Sequence, residues 1–259
     1  MSERVTIDVA DGVCHIRLNR PEKLNALDKE MFEGLIACGE RAITDDDIRV
    51  VVLSGEGKGF CAGLDVASLM PVLQESPELL APSEGSPANW VQRAAWIWQE
   101  VPQPVIAAVH GVAFGGGFQL ALGADIRIVH PEVRFAFKEI DWGLIPDLAA
   151  TQTTRGVVSL DVLKELSFTG REVQGEEAIA LRLATFLADD PIARAGELAR
   201  EIASKSPEAV AAAKRLWNVA PFGSVAKGLA HESKAQAELI QGESHRAIVQ
   251  RLSTRRSIK

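Results

Sequence analysis

Two glycine-rich segments carry the residue types that could do chemistry here. They are SGEGKGFCAGLD (54–65) and HGVAFGGGFQLALGAD (110–125), and each follows an apolar run. A glycine-rich turn lets the backbone approach a ligand closely. A helix that begins at the GGG run would point unpaired N–H groups and its positive end at an anion. Two such turns side by side could hold one oxygen between two donors, although either segment alone would more simply indicate tight packing of a strand on a helix.

Neither segment matches a common nucleotide-binding loop or hydrolase motif. The Walker pattern requires Gly-Lys-Ser/Thr, but Lys58 is followed by Gly59 and Phe60. A dinucleotide-binding pattern counted from Gly55 would need glycine at the position of Phe60. The chain has no G-x-S-x-G elbow and its five histidines are scattered, so a serine hydrolase lacks its parts.

Four segments in order resemble the enoyl-CoA hydratase/isomerase (crotonase) family, and the resemblance covers essentially the whole chain. The segments are RLNRPEKLNALD (17–28), FCAGLD (60–65), FGGGFQLALGADIRI (114–128) and KEIDWGLIPDLAATQ (138–152). The resemblance implies an α/β fold, a spiral of ββα turns with a helical C-terminal trimerisation region. It also implies a homotrimer, often paired into a hexamer.

The same resemblance implies a site for a fatty-acyl-coenzyme A thioester. The backbone N–H groups of Leu64 and Gly116 are expected to form the oxyanion hole that holds the thioester oxygen. The residues expected along the coenzyme A moiety are Lys23, Ala26, Ala62, Asp65 and Val66. Asp65 could instead cap a helix. No metal and no separate cofactor are expected, because coenzyme A is part of the substrate.

The chemistry implied is proton transfer next to the thioester carbonyl. Removing such a proton builds an enolate, and two fixed donors at its oxygen favour the transition state over the ground state. Family hydratases carry two glutamates, and here the first position is Gln119, which cannot donate or accept a proton at neutral pH. The second is Glu139, and Asp147 stands where the family's dienoyl-CoA isomerases have an aspartate. Those isomerases also carry an acid at the position of Gln119, so the match to them is partial.

We therefore predict double-bond isomerisation of an unsaturated acyl-CoA, with Glu139 and Asp147 as catalytic residues and Gln119 among the substrate-binding residues. A 1,3-shift of a double bond needs one well-placed base, whereas hydration benefits from two groups. The alternatives are an enoyl-CoA hydratase that uses Glu139 and Asp147, and a non-catalytic CoA-binding scaffold. Gln119 favours the scaffold, whereas both glycine segments and the two acids oppose it.

Aromatic residues nearby could line the acyl pocket. Trp142 is a candidate for binding the acyl chain, or it packs in the core. Trp96 and Trp98 lie too close in sequence to share one helix face, so one could reach the pocket while the other packs. Lys138 is interpreted as a solvated charge.

Hydrophobic patterns predict the elements that position these residues. Residues 5–10 and 13–18 alternate around Asp11-Gly12, which predicts a hairpin. A helix is predicted over residues 28–43 behind an Asp28 cap. The β-branched runs at 50–54, 105–109 and 126–129 are typical of buried, mostly parallel strands. Residues 70–89 hold four prolines and predict a mobile loop, either an insertion or a flap.

The end of the chain predicts a separate helical region. We place a boundary near residue 190, which gives a core with the acyl-CoA site over 1–190 and an oligomerisation region over 191–259. Ser206-Pro207 are a predicted cap and first-turn pair. The apolar residues that exceed what so small a region could bury alone are Leu216, Trp217, Val225, Leu229, Leu239 and Ile240.

Composition narrows the class of protein. The 259 residues are 47% hydrophobic and 24% charged, typical of a globular protein, and the net charge of −7 argues against a nucleic-acid partner. The three cysteines lack metal-ligand spacing and indicate free thiols in a reducing cytoplasm. We see no signal peptide and no run near the ~20 apolar residues of a transmembrane helix, so no membrane association is expected.

Overall fold

A computed structural model describes residues 3–82 and 85–256 of the chain. Its strands are β1 (Val5–Ala10), β2 (Val13–Leu18), β3 (Val50–Gly55), β4 (Val105–Val109), β5 (Val112–Phe114), β6 (Ile126–Val129), β7 (Arg134–Ala136), β8 (Val173–Gln174) and β9 (Phe186–Leu187). Its α-helices are α1 (Lys29–Thr44), α2 (Val66–Glu75), α3 (Trp90–Glu100), α4 (Gly116–Leu122), α5 (Ala150–Thr153), α6 (Leu160–Thr169), α7 (Gly175–Ala180), α8 (Pro191–Ala203), α9 (Pro207–Val219), α10 (Val225–Gln241) and α11 (Glu243–Arg256).

The predicted N-terminal hairpin is confirmed. Strands β1 and β2 pair antiparallel, with Ala10 opposite Val13 across a two-residue loop. Both loop residues have positive φ, 52° at Asp11 and 78° at Gly12. A loop of this kind suits the right-handed twist of the strands and is why Asp-Gly is a hairpin signal.

Two sheets form the predicted spiral. The larger sheet has the order β1-β2-β3-β4-β6-β9, in which every pair after β1 and β2 is parallel. The smaller sheet has the order β5-β7-β8. The chain alternates between them, since β4 of the large sheet is followed by β5 of the small sheet and then by α4. The small-sheet strand β5 and helix α4 therefore follow the carboxyl end of β4.

Burial on both faces explains the continuous apolar runs. Every residue of β3 and β4 is buried. The side chains on one face belong to the main core, together with residues of α1 and α3. On the other face α8 contributes Ala195, Ala199 and Ala203. These alanines let α8 lie close to the sheet. Helices therefore cover both faces of the large sheet, with larger side chains on the face of α1 and α3.

The predicted helix caps are confirmed. The side chain of Asp28 accepts a hydrogen bond from the N–H of Met31 at 2.9 Å and begins α1. Ser206 accepts one from Ala209 at 3.3 Å, with Pro207 in the first turn of α9. Both caps satisfy an N–H group that has no partner inside its helix.

The prediction of a loop over residues 70–89 is wrong for the first half of this segment, which is largely helical. Helix α2 continues to Glu75 and a 3-10 helix follows over Pro77–Leu80. Leu69 is buried and Leu73 packs on the core, so tertiary contacts support the helix although Pro71 lies inside it. Serines and prolines are typical of loops, whereas here Pro77 begins a short helix.

The C-terminal region is helical from α8 to α11, as predicted. Helix α8 packs against the large sheet. The boundary near residue 190 stays a prediction. Of the six apolar residues singled out, Leu216 and Leu239 are partly buried. The other four are exposed, namely Trp217, Val225, Leu229 and Ile240. Within the described residues, no helix is both long and apolar enough to cross a membrane.

The alanine face of α8 gives a first testable prediction. Ala199 is fully buried against the sheet, so Ala199→Leu should lower the free energy of unfolding by about 1–3 kcal/mol through overpacking. Ala193 lies on the exposed side of the same helix, and Ala193→Leu should change it by less than about 0.5 kcal/mol. Urea denaturation measures both, and equal effects would show that α8 is not seated as described.

Candidate active site

Backbone pairing places the two glycine-rich segments side by side. The N–H of Cys61 donates to the carbonyl of Val112 at 3.0 Å, and the N–H of Phe114 donates to the carbonyl of Cys61 at 3.0 Å. Cys61 and Ala113 thus form a parallel bridge that adds one residue to the edge of the small sheet. The segment after β3 and the segment after β4 therefore run together towards the start of α4.

This pairing brings the N–H groups of Leu64 and Gly116 close together. A Cβ atom on Gly63, whose φ is 93°, would lie 2.7 Å from the carbonyl oxygen of Phe114 and 3.5 Å from the nitrogen of Gly116. Only glycine fits there, because the backbone of the other segment fills the space. Among the described residues, no acceptor receives a hydrogen bond from the N–H of Leu64 or of Gly116. Two adjacent free donors are what an oxyanion requires.

Asn25, which was not among the predicted site residues, links the segment 17–28 to the first glycine segment. Its Oδ1 accepts from the N–H of Arg20 at 2.8 Å, and its Nδ2 donates to the carbonyls of Glu56 and Gly59 at 2.9 Å and of Phe60 at 3.2 Å. Asn25 is fully buried with φ of 57°. Asparagine tolerates this left-handed conformation better than most residues. The residue type was therefore the sequence signal that could have indicated Asn25.

The residues expected along coenzyme A lie on these neighbouring segments. Lys23 is exposed at the end of a 3-10 helix, Pro21–Lys23. Ala26 and Ala62 are partly buried, and the N–H of Ala62 donates to the carbonyl of Leu24 at 2.8 Å. Val66 is the first residue of α2. The structure brings all of them together around the first glycine segment.

Asp65 has a protein partner of its own. Its Oδ2 lies 2.8 Å from Nη1 of Arg20, which is also 3.4 Å from Asp28 and 3.1 Å from the carbonyl of Ala26. Burial works against the ionised form of Asp65, but the hydrogen bond and charge of Arg20 outweigh it and hold the pKa below its usual range. Asp65 precedes α2 without making a side-chain cap hydrogen bond.

Glu139 is a buried carboxyl group with one free oxygen. It lies at the start of a 3-10 helix, Glu139–Trp142, and is 5% exposed. Its Oε1 accepts from Nε2 of Gln119 at 2.6 Å, whereas its Oε2 has no hydrogen-bond partner. Burial raises the pKa of Glu139 and the charge of Asp147 raises it further, against lowering by nearby backbone N–H groups and by Gln119. A raised pKa suits a carboxylate to take protons near neutral pH.

Glu139 lies beside the backbone of Gly115 and Gly116. A Cβ atom on Gly115 would be 3.2 Å from Oε1 of Glu139, and the next residue is the donor Gly116. A Cβ atom on Gly116 would contact the side chains of Leu27, Leu148 and Leu64 at 3.1, 3.3 and 3.5 Å. The free donors and the free carboxylate oxygen are therefore set in apolar surroundings, where electrostatic interactions are stronger than in water.

Gln119 was expected to bind substrate, but both ends of its amide contact the protein. The side chain is 0% exposed. Besides donating to Glu139, it accepts from the N–H of Leu148 at 2.8 Å through its Oε1. Leu148 follows Asp147, which is partly buried, and burial raises the pKa of Asp147. Residues separated by 29 positions are thus joined through one amide.

Three side chains differ from their expected surroundings. Trp142 is 64% exposed, so the alternative of a core position is wrong. Trp98 packs in the core as one of the expected pair, but Trp96 lines a cavity of about 690 Å³ that contains Lys214 and no expected site residue. Lys138 is not a free charge, because it donates to the carbonyl of Gly170 at 2.8 Å. Residue spacing alone could not show these tertiary contacts.

Comparison with known proteins decides the family. The sequence profile of the enoyl-CoA hydratase/isomerase family matches residues 8–257. The chain belongs to this family. A crystal structure of enoyl-CoA hydratase from Bacillus anthracis has a TM-score of 0.87 to this fold at 27% identity, covering 97% of this chain and 96% of that one. The fold of this enzyme family is therefore shown.

Two relatives within the family have different names. The mitochondrial Delta(3,5)-Delta(2,4)-dienoyl-CoA isomerase of Mus musculus is 35% identical over 216 residues, which are 78% of this chain and 64% of that protein. The (E)-benzylidenesuccinyl-CoA hydratase of Thauera aromatica is 34% identical over 218 residues, 82% of this chain and 80% of that protein. The chain thus spans less than two thirds of the mouse protein.

Asn25 supports the second prediction. Removing its side chain leaves buried carbonyls unpaired, so Asn25→Ala should lower the free energy of unfolding by about 1–3 kcal/mol or more. Asn19 makes an exposed hydrogen bond to the carbonyl of Glu3, and Asn19→Ala should cost less than about 1 kcal/mol. Both are measured by denaturant unfolding, and an Asn25→Ala protein as stable as the Asn19→Ala protein would contradict this role.

Proposed function

We propose that this protein is an isomerase that moves a double bond of an unsaturated acyl-CoA through Glu139. The observation that carries the proposal is the free Oε2 of Glu139, buried beside the N–H groups of Leu64 and Gly116, which have no acceptor among the described residues. A carboxylate costs free energy when buried. A ligand with an acidic C–H next to a carbonyl uses both the carboxylate and the donors.

The reaction follows from this arrangement. In a 3-enoyl-CoA, Glu139 takes a proton from carbon 2, and the negative charge moves to the thioester oxygen between the two N–H donors. Returning the proton to carbon 4 places the double bond between carbons 2 and 3. No atom is gained or lost, and no cofactor takes part, because coenzyme A belongs to the substrate. The donors stabilise the charge that develops in the transition state.

The position of Asp147 favours a longer proton path as well. Its charge acts on Glu139 and its pKa is raised by burial. A second carboxyl group next to the base would extend the reach to a more distant carbon, as a 3,5- to 2,4-dienoyl-CoA conversion needs. The name of the mouse relative supports this substrate class.

Hydration is the second candidate function. Adding water across a double bond needs groups that orient and deprotonate the water, and Glu139 and Asp147 together would supply them. The name of the Thauera aromatica relative supports this alternative. We expect either reaction to take place in the cytoplasm, although the mouse relative is named as mitochondrial.

Glu139 gives the third prediction. Glu139→Gln should cut turnover about 10²–10⁴-fold on the true substrate, because the general base is lost, while affinity for the acyl-CoA changes little. Asp147→Asn should fall between Glu139→Gln and the native enzyme if Asp147 relays a proton. Asp141 is exposed on the same 3-10 helix, and Asp141→Asn is the matched control with native turnover.

The substrates are a panel of 2-enoyl-, 3-enoyl-, 2,4-dienoyl- and 3,5-dienoyl-CoA thioesters, with products identified by mass spectrometry and ultraviolet absorbance. Only the ionised base is active, so activity should fall as the pH drops through the raised pKa of Glu139. A fully active Glu139→Gln enzyme would reject Glu139 as base. A hydrated product from a 2-enoyl-CoA, with no double-bond shift, would favour the hydratase.

The exposed apolar residues of the last helices support a fourth prediction. Trp217 is 73% exposed and Val225 is 79% exposed. Leu229 and Ile240 are exposed on α10. A helical surface of this composition is typical of a subunit interface. We expect a homotrimer or a hexamer, and sedimentation velocity at micromolar concentration should give about three or six times the 27.9 kDa chain mass. A monomer mass would contradict it.

A further inference from the structure

The amide of Gln119 contacts Glu139 on one side and the residue that follows Asp147 on the other. Its Nε2 donates to Oε1 of Glu139 at 2.6 Å, and its Oε1 accepts from the N–H of Leu148 at 2.8 Å. Leu148 directly follows Asp147. The side chain lies in the interior with no exposed surface, so neither contact competes with water.

The orientation of this amide follows from its partners. The N–H of Leu148 can only donate, so it requires the amide oxygen on its side. The NH₂ group must then face Glu139. A flipped amide would place its NH₂ group against the N–H of Leu148 and its oxygen against the carboxylate of Glu139. Gln119 therefore always presents a donor to Oε1 of Glu139, which leaves Oε2 as the oxygen without a partner.

We propose that Gln119 is a positioning residue for the reaction. Its amide holds Glu139 so that Oε2 is the atom that takes the proton, and it fixes the segment carrying Asp147 against the same carboxylate. This inference rests on the proposed function and replaces the expectation that Gln119 binds substrate directly. Gln119 then acts through Glu139 and Leu148 and does not contact the reacting atoms.

The amide also suits a site with one principal base. A donor beside a carboxylate favours its ionised form. A glutamate at position 119 would instead place two carboxyl groups in contact, and such a pair shares a proton because both cannot ionise freely. Gln119 therefore keeps Glu139 available as a single ionised base, which is what a double-bond shift needs.

The experiment compares pH profiles of kcat/KM on the substrate found active in the thioester panel. In Gln119→Met the donor is lost, so the ionised form of Glu139 is less favoured and the acid limb should move to higher pH. Turnover at acidic pH should fall roughly 10–100-fold, the range for losing a hydrogen bond to a charged group. It should recover as the pH rises, while KM changes less than kcat.

Two further variants separate positioning from folding. Gln119→Glu keeps an acceptor for the N–H of Leu148 but puts a second carboxyl group against Glu139. The two carboxyl groups share a proton, so full ionisation of the pair, and with it the acid limb, should move to higher pH. Gln103→Met is the matched control, because Gln103 is a partly buried amide that donates to the carbonyls of Ala42 and Ile48. It should lose stability and keep the native acid limb. If Gln119→Met does not fold, Gln119→Glu carries the test.

A second readout needs no turnover. Isotope-edited infrared difference spectra, with Glu139→Gln as the reference in each background, follow the ionisation of Glu139 against pH in the ligand-free protein. We expect that Glu139 ionises at higher pH in Gln119→Met and in Gln119→Glu than in the native chain. An unchanged ionisation and an unchanged acid limb overturn the positioning role. A native protein that converts no thioester rejects the proposed function, and the infrared comparison still tests Gln119.

Discussion

The bridge between Cys61 and Ala113 is the contact on which the rest of the site depends. Its two backbone hydrogen bonds join segments that leave different strands of the large sheet. The approach is so close that a Cβ atom on Gly117 would collide with the carbonyl oxygen of Cys61. Glycine at that position is therefore a packing requirement. Once the segments are paired, the N–H groups of Leu64 and Gly116 are held together by the main chain, which adds no side-chain entropy cost.

A buried carboxylate is the second constraint, and the structure meets it only partly. Glu139 has one satisfied oxygen and one without a partner. The unsatisfied oxygen raises the free energy of the ionised form and makes it a stronger base. Full satisfaction of both oxygens would stabilise the fold but weaken the base. Burial is the main cause of the raised pKa of Glu139 and Asp147 adds to it, while Oε2 has no hydrogen-bond donor that would offset them.

Sequence patterns predicted the structural features that depend on residues close together in the chain. The Asp11-Gly12 turn, the Asp28 cap and the apolar run of β3 each follow from residues near them in sequence, and the structure confirms them. Family motifs indicated Glu139 and the donors Leu64 and Gly116, although their roles stay proposals. Contacts between distant residues were not accessible in this way. The bond from Leu148 to Gln119 spans 29 positions, and the bonds from Asn25 to Gly59 and Phe60 span 34 and 35. The sequence places Gln119 among the substrate-binding residues because it does not show that the amide contacts Glu139 and Leu148.

The environments of the two acids are unequal, and this bears on which of them acts as base. Burial raises the pKa of both acids, and the charge of Asp147 raises the pKa of Glu139 further. Gln119 donates only to Glu139, and among the described residues no side chain donates to Asp147. The donor therefore favours the state in which Glu139 is ionised. Gln119 thus opposes the effect of Asp147 on the carboxyl group that the proposed reaction uses as base, whereas burial alone raises the pKa of Asp147. For carbons farther apart than one carboxyl group can reach, Glu139 as a carboxylate would remove a proton at one carbon and Asp147 as a carboxylic acid would supply one at the other.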